Sequence, residues 1–361
     1  MSEEKALPEL RERIDAIDAR LQELLNERAA CARAVAEVKQ NSDPDAEFYR
    51  PEREAQVLRK VRERNQGPLP AEEVTRLFRE IMSACLALEK PLRIGFLGPE
   101  GTFTQAAALK QFGHSVQTVS FAAIDEVFRE VEAGGVDYGV VPVENSTEGV
   151  INHTLDMFLR SPLKICGDVE LRIHHHLLST AADLAGVKRV YSHQQSLAQC
   201  REWLNARLPN AECVAVSSNA EAARRASQES GCAAIAGETA GEIYGLKALV
   251  RNIEDDPANT TRFLVIGKQR VPPSGRDKTS ILVSARNQPG ALYRLLEPIA
   301  RHGLSMTRIE SRPSRLSTWD YVFFMDLEGH CDDPKLARAL EELQAEAAMF
   351  KWLGSYPQAV L

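Results

Sequence analysis

Apolar residues recur at alternating steps of three and four along the first part of the chain. This spacing is typical of one face of a long α-helix, which at about 1.5 Å per residue extends over ~50 Å. A helix of this length needs a partner along its apolar face, either other helices or a second chain. The stripe consists of Leu7, Leu10, Ile14, Ile17, Leu21, Leu24, Arg28, Cys31, Val35 and Val38.

Two further helices are predicted after the first, and each begins at a proline, a residue that suits the first helical turn. They cover residues 51–65 and 70–89. Residues 1–91 are therefore predicted to form an all-helical unit.

From Leu92 the pattern changes to short apolar runs that alternate with amphipathic helical segments. This alternation predicts an α/β fold with mostly parallel sheets covered on both faces, and it is long enough for two lobes. Within it, "NTTRF" at residues 259–263 favours a turn followed by an edge strand, because Asn and Thr suit turns and Thr suits strands.

Residues 267–278, "GKQRVPPSGRDK", are rich in proline, glycine and charge, which is typical of a linker. The pattern beyond them predicts strand, helix, strand, strand, helix and a short tail, as in a ferredoxin-like α+β module. The predicted domains are therefore residues 1–91, 92–270 and 277–361.

Composition narrows the class of protein. The chain has 361 residues, of which 44% are hydrophobic and 26% charged, so it is able to bury sizeable cores. No apolar run approaches the ~20 residues of a membrane span, and the charged N-terminus lacks the apolar region of a signal peptide. The net charge of −7 argues against nonspecific nucleic-acid binding, so a site for an anion must be positive only locally. Seven scattered cysteines without a CxxC motif indicate reduced thiols of a cytosolic protein.

Arg28 occupies a position in the apolar stripe where an aliphatic side chain is expected. It is either a device that fixes pairing specificity, an arginine that reaches to water, or a buried cation that awaits an anion. Arg11 and Lys39 flank the same stripe, while Glu54 and Glu89 lie at the inner edges of the next two helices. Together they would form a pocket for a small dianion.

The segments "LRERIDAIDARLQELLNERAACARAVAEVK", "YRPEREAQVL" and "VTRLFREIMSACLALE" resemble the all-helical class of chorismate mutase, an intertwined dimer that rearranges chorismate to prephenate. The resemblance implies that Arg28 and Arg11 of the partner subunit bind the two carboxylates. Lys39 and Glu89 are expected to hydrogen-bond the ether oxygen. This rearrangement needs no nucleophile, metal or cofactor, because orientation and charge stabilisation suffice.

The same resemblance places Arg53 and Glu54 on the family's Arg-Glu pair, the glutamate holding the substrate hydroxyl, and Cys85 among the substrate contacts. The chain departs from the family at two positions. Arg50 stands where an aspartate is frequent, and Glu89 stands where a glutamine is frequent. Glu89 must therefore be protonated in order to donate a hydrogen bond.

The middle segment contains neither GxGxxG nor GxxxxGK[ST], so nucleotide cofactors are not predicted. It carries instead four turns rich in hydroxyls and amides, "GPEGTFT", "PVENSTEG", "YSHQQSLAQC" and "NTTRF". These motifs, in this order, resemble prephenate dehydratase, which implies a two-lobed, periplasmic-binding-protein-like domain. The run "HHH" at residues 174–176 supplies two same-face histidines without a third ligand, which is a weak metal signal.

Prephenate becomes phenylpyruvate by losing carbon dioxide and its ring hydroxyl. The resemblance implies that Thr261 helps the hydroxyl to leave, by a hydrogen bond or a proton relay, and that Arg262 anchors or polarises nearby groups unless its side chain faces away. The other expected substrate-binding residues are Glu144, Asn145, Ser146, Thr147, Ser192 and Gln199.

The last unit contains "GALY" and "ESRP", which resemble the amino-acid-binding ACT module. The whole chain thus resembles the bifunctional chorismate mutase–prephenate dehydratases, homodimeric enzymes of phenylalanine biosynthesis with feedback inhibition by phenylalanine. A dehydratase acting on arogenate and a catalytically silent amino-acid sensor remain alternatives. The expected effector-binding residues are Gly290, Ala291, Leu292, Glu310, Ser311 and Arg312.

Overall fold

A computed structural model describes residues 3–42, 47–147, 149–285, 288–313 and 321–360. The first unit is helical, as predicted. It consists of α1 (Glu3–Ser42), α2 (Pro51–Arg64) and α3 (Ala71–Glu89). Helix α2 begins at its proline, and α3 packs on both other helices.

The apolar stripe of α1 lies open along most of its length. Its large side chains are between 50% and 66% exposed, far more than the apolar face of a packed helix. Within the chain, α1 packs mainly on α3. The exposed members are Leu7, Leu10, Ile14, Ile17, Leu21, Leu24, Val35 and Val38. No helix among the described residues has the length and apolarity needed to cross a membrane.

The first lobe of the middle unit is built on a sheet with strand order β2-β1-β3-β11-β5, with β4 paired to β3. Strand β11 runs antiparallel between β3 and β5, so the sheet is mixed and the predicted edge strand at "NTTRF" is wrong. The elements are β1 (Arg93–Leu97), α4 (Phe103–Phe112), β2 (Gln117–Phe121), α5 (Ile124–Ala133), β3 (Tyr138–Asn145), β4 (Gly149–Val150), α6 (Asn152–Arg160), β5 (Lys164–Arg172) and β11 (Thr260–Gly267).

The second lobe has a five-stranded sheet of order β10-β6-β9-β7-β8. Strands β7, β8 and β9 are parallel, and β6 and β10 are antiparallel, so the expectation of mostly parallel sheets holds only in part. The elements are β6 (His176–Ser179), β7 (Arg189–His193), α7 (Gln194–Gln199), α8 (Arg201–Arg207), β8 (Glu212–Val216), α9 (Asn219–Gln228), β9 (Cys232–Ala236), α10 (Glu238–Tyr244) and β10 (Lys247–Val250).

The third unit is a four-stranded antiparallel sheet of order β13-β14-β12-β15 with two helices on one face. This is the predicted ferredoxin-like arrangement. The predicted short tail is instead the edge strand β15, which pairs with β12. The elements are β12 (Asp277–Ala285), α11 (Ala291–Arg301), β13 (Met306–Pro313), β14 (Tyr321–Glu328), α12 (Pro334–Glu346) and β15 (Met349–Pro357).

The free face of the third sheet packs directly on the first lobe and forms one continuous core with it. Leu282 and Phe324 from the third unit lie in the same buried cluster as Val141 and Phe158 from the first lobe. The two units approach closely at Gly354, where a Cβ atom would overlap the Ile165 carbonyl oxygen. The two units therefore share packing, although they are separate in sequence.

The helical unit also rests on the first lobe. Tyr49, just before α2, packs against Phe112 and Tyr138 with ring centroids 5.0 and 5.3 Å away. Arg59 on α2 donates to carbonyl oxygens of Ser274 and Arg276. The segment predicted as a linker is therefore fixed against the helical unit.

Candidate active sites

A cavity of about 410 Å³ lies between the two lobes of the middle unit. It is bordered by the carboxyl end of β3 and by the N-termini of α4 and α9, where α/β proteins bind anionic ligands. None of the described lining residues is Lys or Arg, so positive potential must come from backbone N–H groups. The lining includes Gly98, Thr102, Phe103, Asn145, His175, Ser196, Gln199, Asn219, Asn259, Thr261 and Phe263.

Thr261 lies in this cavity with its hydroxyl oxygen held by an amide. The Asn145 Nδ2 donates to Thr261 Oγ1 over 2.7 Å, and the two residues are direct cross-strand partners in β3 and β11. Because a hydroxyl that accepts this bond keeps its own proton, Thr261 is able to donate to a ligand. The structure thus brings together two of the predicted site residues.

The hydrogen bonds continue from Asn145 into the second lobe. Asn145 Nδ2 also donates to Asn259 Oδ1 at 2.9 Å, and Asn259 Nδ2 donates to Gln199 Oε1 at 3.1 Å. His175 Nε2 lies 2.9 Å from the same Gln199 oxygen and must therefore be the protonated nitrogen. Burial lowers the pKa of His175, only partly offset by its bond to Gln199, so the ring is neutral at pH 7.

Asn259 and His175 belong to the site although neither is predicted from the sequence as a site residue. Asn259 belongs to "NTTRF", so a signal was present, whereas His175 stood in a run considered only for metal binding. Both residues lie where the chain crosses between the lobes, and Ile173 N–H donates to the Asn259 carbonyl oxygen across the two crossings. Only the folded chain places the crossings side by side.

Three expected contact residues do not line the cavity. Ser192 is fully buried and donates to the Ile235 carbonyl, with Asn219 Oδ1 at 3.0 Å. It lies behind Asn219, which does line the cavity and accepts the His193 N–H, and does not reach the ligand space itself. Ser146 and Thr147 are exposed and close the turn after β3, where Ser146 Oγ accepts the Thr260 N–H.

Glu144 and Arg262 point away from the cavity, so the folded chain does not place them against a ligand there. They are cross-strand partners on the opposite face of the sheet from Asn145 and Thr261. Glu144 pairs with Arg308 at 3.0 Å, and Arg262 pairs with Asp326 at 2.6 Å. Both partners belong to the third unit.

Asp168 and Asp326 surround the Arg262 guanidinium. Burial by itself would lower the pKa of Arg262, but the Tyr356 phenol and these carboxylates raise it above its ordinary value. Burial would raise the pKa of Asp326, but contact with Arg262 and the Ser280 hydroxyl holds it below its ordinary value. Arg262 and Asp326 are therefore both charged.

A second group of predicted residues meets in the helical unit. Glu89, at the end of α3, lies close enough to Lys39 and Arg28 on α1 for their positive charges to affect its pKa. Burial raises the pKa of Glu89, and the two cations lower it, with burial the stronger effect. Lys39 Nζ also lies 3.4 Å from the carbonyl oxygen of Phe48. This group has the mixed charge that the sequence predicts for a dianion site.

Arg11 does not join this group within one chain. It lies 17 residues before Arg28 on the same helix, a separation of about 25 Å along the axis. The structure of a single chain therefore leaves the expected Arg11 contact to a second copy.

Arg53, Glu54 and Cys85, the other residues predicted for the mutase site, have different surroundings in the single chain. Arg53 is exposed, and Cys85 is buried in α3. Glu54 faces Arg79 at 3.6 Å, on the side of α2 that packs toward the middle unit. Burial raises the pKa of Glu54 against the opposing effect of Arg79. Arg50, at the family's aspartate position, pairs with Glu52 at 2.6 Å.

The "GALY" turn of the third unit borders a cavity of about 300 Å³. Gly290 has a φ of 75°, a left-handed conformation that favours glycine, immediately before α11. Ser311 is the cross-strand partner of Phe323, which lines the cavity. The lining is Ala285, Gln288, Gly290, Ala291, Leu292, Tyr293, Tyr321 and Phe323.

Glu310 and Arg312 lie on the other face of β13, toward the first lobe. Arg312 pairs with Asp156 at 3.1 Å and donates to the Asn152 carbonyl oxygen at 2.6 Å. These two effector-binding predictions therefore do not agree with the arrangement of the chain, whereas Ser311 remains on the cavity side.

The three successive histidines have protein partners. His174 pairs with Glu254 at 2.7 Å, and His176 Nδ1 accepts the Asn252 N–H at 3.1 Å. Among the described residues, a group of possible metal ligands occurs at His330, Cys331 and Asp332, within 4.8 Å of one another. Both ring nitrogens of His330 are already within hydrogen-bond distance of backbone atoms.

Family models match all three units in order: chorismate mutase type II over residues 10–90, prephenate dehydratase over 94–271 and the ACT domain over 279–345. The chain is 61% identical to a bifunctional chorismate mutase/prephenate dehydratase of Stutzerimonas stutzeri over 100% of both chains. The chain belongs to the bifunctional chorismate mutase/prephenate dehydratase family. The Escherichia coli K12 member is 34% identical, over 99% of this chain and 97% of its own length.

Solved structures resemble the dehydratase and ACT units. A prephenate dehydratase of Arthrobacter aurescens in complex with L-Phe has a TM-score of 0.68 and 34% identity, over 74% of this chain and 90% of its own. A chain described as a novel type of quorum quenching acylase, GqqA, has a TM-score of 0.69 and 32% identity, over 74% of this chain and 98% of its own. The bifunctional enzyme thus rearranges chorismate to prephenate and converts prephenate to phenylpyruvate, and it carries an ACT regulatory domain.

Proposed function

We propose that Thr261 assists departure of the ring hydroxyl of prephenate. The C–C bond to the ring carboxylate breaks, its electron pair enters the ring as carbon dioxide leaves, and the C–O bond breaks as the ring becomes aromatic. The departing hydroxide takes up the Thr261 proton, which a solvent water replaces on the threonine, so that the hydroxide leaves as water. The observation that carries this role is the 2.7 Å bond from Asn145 to Thr261 Oγ1, because donation to a hydroxyl oxygen strengthens that hydroxyl as a donor.

The substrate carboxylates are proposed to bind without a cationic side chain. Helix N-termini at α4 and α9 present backbone N–H groups to the cleft, and Asn219, Ser196 and Gln199 add neutral polar groups. A cleft of this kind binds an anion while leaving the reacting ring near the Asn145–Thr261 pair. Ser192 supports Asn219 from behind.

The mutase reaction is proposed to use Arg28, Lys39 and Glu89. The two cations hold carboxylate and ether oxygens of chorismate in the reactive conformation, and protonated Glu89 donates to the ether oxygen. Arg28 and Lys39 lie close enough to Glu89 for their charges to lower its pKa, which supports this site. Arg11 of the partner subunit completes it.

A homodimer formed through α1 follows from the same site. The stripe from Leu7 to Val38 is exposed in the single chain, and contiguous apolar surface of this extent marks an interaction site. A second copy of α1 would cover this stripe and supply Arg11.

Phenylalanine is proposed to bind at the cavity beside Gly290, Ala291 and Leu292. The N-terminal turn of α11 suits the carboxylate, and Tyr321 and Phe323 offer an apolar surface for the ring. The ACT domain and the L-Phe complex of the Arthrobacter relative support phenylalanine as effector. Ser311 of an adjacent copy is the proposed contact from the "ESRP" motif.

The proposed domains are residues 1–91, 92–270 and 277–361, supported by family matches that end or begin within three residues of most of these limits. We place the protein in the cytosol, supported by its seven free cysteines.

Separate assays of the two reactions test this assignment. Arg28→Ala should lower mutase turnover by a factor on the order of 10² and spare dehydratase activity on added prephenate, while Thr261→Ala should do the reverse. Arg33→Ala, on an exposed part of the same helix, is the matched control. Loss of both activities in a folded single variant would contradict two separate sites.

Two further assays test the alternatives. Comparing turnover of arogenate with turnover of prephenate distinguishes the two dehydratase substrates. Absence of phenylpyruvate when chorismate is supplied would favour the catalytically silent sensor.

A further inference from the structure

Two neighbouring strands carry the dehydratase residues on one face and charged residues on the other. In the pairing of β3 with β11, Asn145 lies opposite Thr261, and Glu144 lies opposite Arg262. Because side chains alternate along a strand, the first pair faces the cleft and the second faces the ACT domain. Glu144 is the chain neighbour of Asn145, and Arg262 is the chain neighbour of Thr261. One peptide unit therefore joins each charged residue to a residue of the cleft.

The ACT domain presents a matching pair to these charges. Arg308 on β13 and Asp326 on β14 are themselves cross-strand partners. Arg308 Nε lies 3.0 Å from Glu144 Oε2, and Asp326 Oδ2 lies 2.6 Å from Arg262 Nη1. The four residues form a square of alternating charge between two sheets, which we call the charge square.

The charge square is partly shielded from water, which makes its contacts strong and its disruption costly. The side chains of Arg262, Asp326 and Arg308 are 12%, 8% and 13% exposed. Asp168 and Lys278 extend the square with one further charge of each sign, at 2.8 Å from each other. Removing Asp326 leaves the buried Arg262 with Asp168 as its remaining carboxylate partner. Removing Arg308 leaves Glu144, whose side chain is 39% exposed, without its partner, so the loss falls on the geometry of the contact as well as on its charge.

Strand β14, which carries Asp326 of the charge square, also borders the proposed effector cavity. Tyr321 and Phe323, on the opposite face of β14 from Asp326, line that cavity. Ser311 lies on β13, three residues beyond Arg308, and pairs with Phe323. Strand β14 thus lines the effector cavity with one face and faces the dehydratase strands with the other, and β13 is paired to it.

We propose that Arg308 and Asp326 are positioning residues of the dehydratase, which hold Asn145 and Thr261 through Glu144 and Arg262, and that effector binding reaches the dehydratase site by this route. The second part rests on the proposed binding of phenylalanine to the ACT domain. Binding that shifts β13 against β14 displaces Arg308 relative to Asp326, and with them the two strand positions next to the reacting groups. Even a small displacement of a reacting group lowers turnover more than it lowers substrate binding.

The test uses Asp326→Asn, Arg308→Gln and Arg308→Lys in the full chain, with Lys351→Gln as control. Lys351 also joins the ACT domain to the first lobe, through carbonyl oxygens of Phe158 and Ser161, but contacts neither β3 nor β11. Dehydratase kcat and KM are measured on prephenate with and without phenylalanine. Mutase activity of the same samples reports folding.

We expect Asp326→Asn and Arg308→Gln to lower dehydratase kcat on the order of tenfold with KM changed less than about threefold. Arg308→Lys, which retains the charge, should recover part of the loss, and Lys351→Gln should match the parent enzyme. Glu144→Gln combined with Arg308→Gln should be no worse than either single variant, since the two residues act as one contact. Equal kcat in all variants, or additive losses, would overturn the positioning role.

Phenylalanine separates the two parts of the inference. If it inhibits the parent enzyme, the Asp326→Asn variant should still bind phenylalanine by calorimetry but show a smaller fold-inhibition. Full inhibition of that variant would overturn the proposed route. If phenylalanine neither binds nor inhibits the parent enzyme, the proposed effector site is wrong, while the kcat comparison without phenylalanine still decides the positioning role.

Discussion

At the residue scale, adjacent side chains on one strand serve different parts of the molecule. Thr261 faces the cleft beside Asn145, whereas Arg262 faces the ACT domain. Replacing Asn145 by Asp puts an acceptor where a donor now lies, so the Thr261 proton would turn toward the carboxylate. We expect dehydratase kcat to fall by a factor on the order of 10² while mutase activity is unchanged. Thr260→Ala, which removes the neighbouring hydroxyl, serves as control, and equal activity of both variants would contradict the amide's role.

Glu89 predicts the pH dependence of the mutase. Burial raises its pKa above the ordinary 4.5, although Lys39 and Arg28 oppose the shift. Because the acid form is the donor, mutase activity should be full below the raised pKa and fall as pH rises through it. Glu89→Gln is neutral at every pH and should remove this decline, as measured by initial rates across a pH series. The same alkaline loss in the glutamine variant would show that another group titrates.

At the scale of elements, the apolar stripe of α1 is exposed to solvent in the single chain and has no packing partner along most of its length. Leu21 and Leu24 are each 52% exposed, and Leu21→Glu would place a charge in the proposed dimer seam. We expect a smaller species by light scattering and mutase activity lowered by a factor on the order of 10², because Arg11 of the partner subunit is lost. Dehydratase activity should persist. Arg20→Gln, off the stripe, should leave both properties unchanged; an unaltered mass for Leu21→Glu would contradict the seam.

At the scale of the whole molecule, the ACT domain contributes to the folded dehydratase as well as to its regulation. A chain that ends after Gly275 would expose the first-lobe core, and each lost apolar side chain is worth about 1.5–3 kcal/mol when fully buried. We therefore expect a lower unfolding temperature, measured by calorimetry, and reduced dehydratase activity, measured by rate assays. A milder variant, Gly290→Val, strains a left-handed residue and should weaken phenylalanine inhibition only. A truncated chain as stable as the parent would contradict the shared core. The ACT residues of this core are Leu282, Val322, Phe324, Leu353 and Tyr356.

Local sequence signals identify most of the elements and the family. The heptad of α1 and the prolines that begin or precede α2 and α3 are local signals, and they predicted the helical unit within a few residues. The motif "NTTRF" pointed to Thr261, because a motif preserves residue types in order. It did not reveal that β11 lies inside the sheet, since an interior and an edge strand differ only in neighbours that are distant in sequence.

Only the tertiary structure decided where charged side chains point. Arg262, Glu144 and Arg312 lie in motifs of the dehydratase and the ACT domain, yet each forms an ion pair between these two domains. His175 and Asn259 joined the cleft because two crossings between lobes lie side by side. Strand alternation assigns a residue to one of two faces, but which face meets a ligand and which meets another domain depends on packing between units far apart in the chain.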